Sequence, residues 1–99
     1  MAQFVVSYEL KSSHPDACAE FLKQANLLYW GQWVILPGNE ERKLPSGTLI
    51  SRFKTMIEAD LSLEQVAKNT SQGLGTEVRI SKGIIIEVAD SLTWSDEIN

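Results

Sequence analysis

Gln3 to Leu10 alternates strictly. Phe4, Val6, Tyr8 and Leu10 fall on one side, Val5, Ser7 and Glu9 on the other. A period of two with one fully apolar side predicts a β-strand half-buried on that side. A helix-forming segment follows at once, which makes this strand the first and central one of a small sheet. Lys11 to Pro15 reads as a polar turn, with Pro15 suited to the first helical position and Asp16 to the positive end of a helix. Ala17, Cys18, Phe21, Leu22, Ala25, Leu28 and Tyr29 then recur at helical spacing. This predicts a first helix through about Trp30, stopped by Gly31.

Gln32 to Leu36 is a short aromatic and β-branched run bounded by Pro37-Gly38, a second strand. Asn39 to Gly47 has no period and many turn formers, so it is expected to be a long hairpin loop. Thr48 to Ile57 alternates again and predicts a third strand. Ser62 and Gln65 form an S-x-x-Q capping box, with Leu61 and Val66 at the staple positions. They predict a second helix from Leu63 to about Ser71, closed by Gly73-Leu74-Gly75. Glu77–Ile80 and Gly83–Ala89 are strand-like, with Ser81-Lys82-Gly83 as a bulge in one strand or a turn into a short fifth.

The order is β-α-β-β-α-β. Two right-handed split β-α-β units give an α+β, ferredoxin-like domain over residues 1–89, an antiparallel sheet with both helices on one face. Residues 90–99 form an acidic tail or arm with three acids, no base and one tryptophan, Trp94. Helices on one side leave the other side open, and pairing of that open face across a two-fold axis predicts a homodimer.

Composition adds bounds. The 99 residues make one domain. Hydrophobic residues at 43% and charged residues at 22% are ordinary for a packed domain. No apolar run reaches the ~20 residues that span a bilayer, and the N-terminus lacks a signal-peptide pattern. With a single cysteine, Cys18, no internal disulfide is available, and a cytoplasmic location is the expectation. A net charge of −4 runs against a dedicated nucleic-acid binder, which works by neutralising phosphates.

A first strand ending Val6-Ser7-Tyr8-Glu9-Leu10, a helix, and then Trp33-Val34-Ile35-Leu36 resembles the small CRISPR-associated dimeric nuclease-like proteins and their relatives among toxin–antitoxin endoribonucleases. In that family the first strand typically ends Tyr-Asp, and the two Asp side chains meet at the dimer axis to hold a divalent metal for phosphodiester hydrolysis. The matching position here is Glu9. The resemblance therefore implies Glu9 as metal ligand and catalytic residue, with Mg²⁺ or Mn²⁺ as cofactor. Glutamate carries the carboxylate one methylene further out than the family's aspartate. Without that resemblance Glu9 reads as a solvated strand-end carboxylate and no cofactor is called for.

Arg42, Lys43, Arg52 and Lys54 are four of the nine bases and would fall in one hairpin. They are the candidate nucleic-acid strip; interleaved with Glu40 and Glu41, they equally suit protection of a sheet edge. His14 precedes a proline in a turn and reads as an exposed bystander. Cys18, on the apolar stripe of the first helix, reads as a buried structural thiol. Trp94 is the candidate contact for a protein partner of the tail. The leading functional expectation is a small dimeric, non-catalytic interaction or regulatory protein of phage, plasmid or toxin–antitoxin type. The alternatives are a metal-dependent nuclease using Glu9 from both subunits, and binding of nucleic acid or a small ligand on the open sheet face.

Overall fold

In a computed structural model, the chain is an α+β fold with two helices and a largely antiparallel sheet system. The structure describes residues 1–36 and 38–88, the side chain of Leu36 excepted. The elements are β1 (Ala2–Lys11), α1 (Ala17–Leu27), β2 (Trp33–Leu36), β3 (Glu40–Lys43), β4 (Thr48–Phe53), α2 (Met56–Leu74) and β5 (Arg79–Val88). The main sheet has the order β4-β1-β5, so the first strand is indeed central, antiparallel to both neighbours.

Both helices cover one face. Phe4 and Val6 of β1 and Leu49 of β4 bury against Phe21 and Ala25 of α1 and against Ala59, Leu63 and Val66 of α2. Trp30 closes this core at the end of α1, its ring tilted against Phe53 at 5.3 Å and its indole N–H donating to Ser62 Oγ at 3.0 Å.

The hairpin differs from expectation. Residues 39–47 are not a plain loop, because Glu40–Lys43 forms β3 and pairs with β2 in a separate two-stranded sheet. The second and third predicted strands therefore do not form a hairpin with each other. They meet at a single bridge, Gly31 with Ile50, closed by two hydrogen bonds of 2.8 Å. Val34 opposite Arg42, and Ile35 opposite Glu41, give the short strands a closer partner than β4.

The ends of the helices also shift. α1 stops at Leu27 rather than Trp30. Tyr29, not Gly31, takes the left-handed backbone at φ 69°, and its carbonyl accepts from Ser51 Oγ at 2.7 Å. β4 ends at Phe53 and not Ile57, because α2 begins at Met56, seven residues before the predicted start. A cap related to the capping box lies upstream of Ser62-x-x-Gln65. Thr55 Oγ1 accepts from the Glu58 N–H, and Glu58 reaches back to the N–H of Lys54 at 3.2 Å. Such a cap contributes about 1 kcal/mol. Ser62 and Gln65 are released for other bonds, Ser62 with Trp30 and Gln65 with Asn69. The C-terminus is as the glycines indicate, with Gly75 at φ 68°.

The last strand is one strand, not two. The register slips between Glu9 and Leu10, so that Ser81 is the extra residue of a bulge and its hydroxyl donates to the Glu9 carbonyl. Among the described residues no helix is long and apolar enough to cross a membrane.

Candidate functional site

The second face of the main sheet is built by rows across the strands. Arg52, Gln3 and Val88 form one row, Ile50, Val5 and Ile86 the next, then Thr48, Ser7 and Ile84, and last Glu9 with Lys82. Directly opposite residues share a face, so these side chains are neighbours. The face is not uniformly open. On the β4 side the hairpin folds over it, and Val34, Leu44 and Ile50 form a small second core with Val5 packed against it. On the β5 side nothing among the described residues covers it. Ile84 and Ile86 remain 59% and 51% exposed. Two large aliphatic side chains side by side on a strand, both half in water, mark a contact surface more often than scattered exposure does.

β5 is also a sheet edge. Ten residues long, it is bonded on one side to β1, and it has no other strand neighbour among the described residues. On the helix-bearing side of that edge, a groove of about 790 Å³ runs between α2 and β5. Leu63, Ala67, Val78, Ile80 and Ile85 line its floor, and Glu64 and Lys68 stand on its helical wall. The sequence contained a sign of this. Three consecutive isoleucines break the alternation that a one-sided antiparallel strand shows, and so put apolar side chains on both faces.

Glu9 sits at the bulge, exposed, directly opposite Lys82. Its neighbour Tyr8 turns to the helix side, 4.8 Å from the Phe21 ring. Burial, with a smaller push from Cys18, raises the Tyr8 phenol to about 12, so it stays protonated throughout the neutral range. No group of three His, Cys, Asp or Glu lies close enough to share a metal ion among the described residues of one chain. A site of the kind the resemblance implies would draw Glu9 from two chains.

The four cations do not come together as one hairpin strip. Arg42 and Lys43 are consecutive on β3 and point to opposite sides; Arg42 pairs with Glu40, and Lys43 lies opposite Trp33. Arg52 is on β4, opposite Gln3 of the main sheet, and Lys54 follows the strand at the start of the α2 cap. Cys18 is exposed, a correction to its reading as a buried thiol: Ala17, Phe21 and Ala25 carry the inward face of α1 instead. His14 shapes the turn before α1, its Nδ1 accepting from the Asp16 N–H and its carbonyl from the Ala17 N–H. Trp33 is 57% exposed on the outer side of the hairpin, with Ile35 beside it on the same strand. Trp94 and the 90–99 tail lie outside the described residues.

No family model, no curated protein and no solved structure matches the chain significantly.

Proposed function

We propose that this chain is a small interaction protein that works as a homodimer, on a ferredoxin-like sheet whose second strand has been drawn off into a hairpin. The observation that supports this reading most is the pair Ile84 and Ile86, exposed on the edge strand β5 beside Val5. Both are already half out of water, so leaving them there forgoes about half of the roughly 1.5–3 kcal/mol that complete burial of such a side chain contributes. A second copy is the partner always present at matched concentration, and a two-fold contact buries the same surface twice. The hairpin's Trp33 and Ile35 then offer a second exposed apolar surface for a different protein. The acidic tail with Trp94 fits the same role.

The test is sedimentation velocity on the purified full chain beside the double variant Ile84→Lys/Ile86→Lys. Wild type is expected to sediment as a dimer at micromolar concentration and the variant as a folded monomer. A wild type that stays monomeric at high concentration overturns the reading.

A second reading is hydrolysis of nucleic acid at paired Glu9 carboxylates. One observation favours it: Glu9 is exposed on the same face as Ile84 and Ile86, so a contact through that face draws two copies of Glu9 toward one axis. It requires cleavage of labelled RNA or duplex DNA with Mg²⁺ or Mn²⁺ that stops on chelation and in Glu9→Gln, with the dimer intact in that variant. Cleavage that survives Glu9→Gln rejects it, as does none at all with either metal.

A further inference from the structure

The edge of β5 that has no strand partner among the described residues lies beside the outer flank of α2, and the two border the same groove. We propose that a second copy of this chain pairs antiparallel along β5, joining two three-stranded sheets into one of six strands. The two α2 helices then run antiparallel on either side of the two-fold axis. This rests on the self-association reading above and names its geometry.

Three features carry it. The first is the edge itself. Protein edges are normally interrupted by charge, proline or a bulge where they face solvent. Past the bulge at Ser81, β5 continues to Val88 with Ile84, Ile85 and Ile86 in its middle and no charge from Gly83 through Ile86. A two-fold axis at Ile85 sets Ile84 against Ile86 of the second copy on the open face, and the reverse. Both exposed isoleucines then become cross-strand pairs.

The second is charge. Asp60, Glu64, Lys68 and Gln72 all border the groove and are spaced four apart, so they form a row along one flank of α2. The row is polarised, with acids in the first half and a cation and an amide in the second. A two-fold axis reverses the helix. With that axis level with Val66 on the helix, Glu64 faces Lys68 of the second copy, and Lys68 faces its Glu64, while Asp60 faces Gln72. Such a row is complementary to itself only when antiparallel.

The third is space. The groove has an apolar floor, and α2 from a second copy on the far side of the axis would wall it off from water. The same arrangement leaves the hairpin's outer face, with Trp33 and Ile35, unoccupied for another partner.

Charge reversal separates this geometry from any dimer that does not set the two α2 helices antiparallel across the axis. Sedimentation velocity at low ionic strength is run on the full chain as wild type, Glu64→Lys, Lys68→Glu and the double variant Glu64→Lys/Lys68→Glu. Thermal melts followed by circular dichroism establish that each is folded; both positions are exposed, while the buried side of α2 is carried by Ala59, Leu63, Val66 and Thr70. Each single variant places two like-charge contacts across the axis and is expected to raise the dissociation constant about tenfold or more. The double variant restores opposite charges and is expected to return within about threefold of wild type. A dimer indifferent to both single variants, or one that the double variant does not restore, overturns this geometry while leaving self-association standing. A monomeric wild type overturns both.

Discussion

Replacing Trp30 by alanine is expected to lower the unfolding free energy by about 3–5 kcal/mol, the range for removing a buried large aromatic. Marginal domains of this size have about 5–15 kcal/mol in total, so the variant is expected to lose roughly a fifth of its stability or more. The size follows from what the side chain does. Trp30 is 1% exposed and lies in one core with Phe4, Phe21, Ala25 and Leu63, so its removal leaves a cavity among them. Its ring packs on Phe53 at the end of β4, and its indole N–H donates to Ser62 on α2, so one residue ties α1, β4 and α2 together. Trp30→Phe separates the two contributions. It keeps most of the packing and removes the donor, and a loss of about 1–2 kcal/mol is expected. The measurement is equilibrium urea unfolding of the three proteins, compared at a common slope. Equal losses for alanine and phenylalanine would assign the whole effect to the hydrogen bond and refute the packing argument.

Trp30 also shows where sequence reasoning reaches and where it stops. The alternation in Phe4, Val6 and Tyr8 and the spacing of Phe21 and Ala25 were enough to put β1 at the centre and α1 against it. Both are patterns of burial, and burial decides the elements. The errors lie where two local signals compete. Thr48 to Ile57 alternates well enough to be a strand to its end, yet Thr55 caps the Glu58 N–H while the Glu58 carboxylate holds the Lys54 N–H just before the cap, and the helix wins from Met56 onward. Ser62 and Gln65 carry the same type of signature, but inside an established helix a serine has no free N–H to cap, and Ser62 turns to the indole of Trp30 instead. Glu40 to Lys43 has no apolar alternation because its strand, bonded among the described residues to β2 alone, is mostly solvated, so the backbone ladder is its support.

The candidate surface was half legible. That the sheet keeps an uncovered face follows from helices on one side, and Val5, Ser7 and Glu9 do lie on that face. Which half stays bare could not be read locally, because Val34 and Leu44 reach Ile50 only after the hairpin folds back over β4. The polarity of Asp60, Glu64, Lys68 and Gln72 is visible in the sequence as a row. That the row borders the same groove as β5 is visible only in the fold.

Gly47→Ala is expected to destabilise the domain by about 2–4 kcal/mol, more than any conformational preference alone would cause. Gly47 has φ +77°, in the left-handed region where a side chain is strained. A Cβ there would also lie 2.9 Å from the Tyr8 carbonyl oxygen. That oxygen has no easy retreat. Tyr8 sits in the central strand, its own N–H donates back to the Gly47 carbonyl at 2.9 Å, and its ring is fixed against Phe21. Relief of the overlap must therefore part β1 from the start of β4, next to the Ser7–Thr48 pair that closes the register. Gly75 supplies the control, because it has φ +68° at the end of α2 and a methyl group there would meet nothing within 4 Å. Gly75→Ala carries the backbone strain without the collision and is expected to lose only about 1 kcal/mol. Urea unfolding of the two variants side by side isolates the contact with Tyr8 as the difference between them. Equal losses would mean that β1 and β4 separate at that end without resistance, and Glu9, one residue beyond Tyr8, would then stand on a strand end far looser than its hydrogen bonds describe.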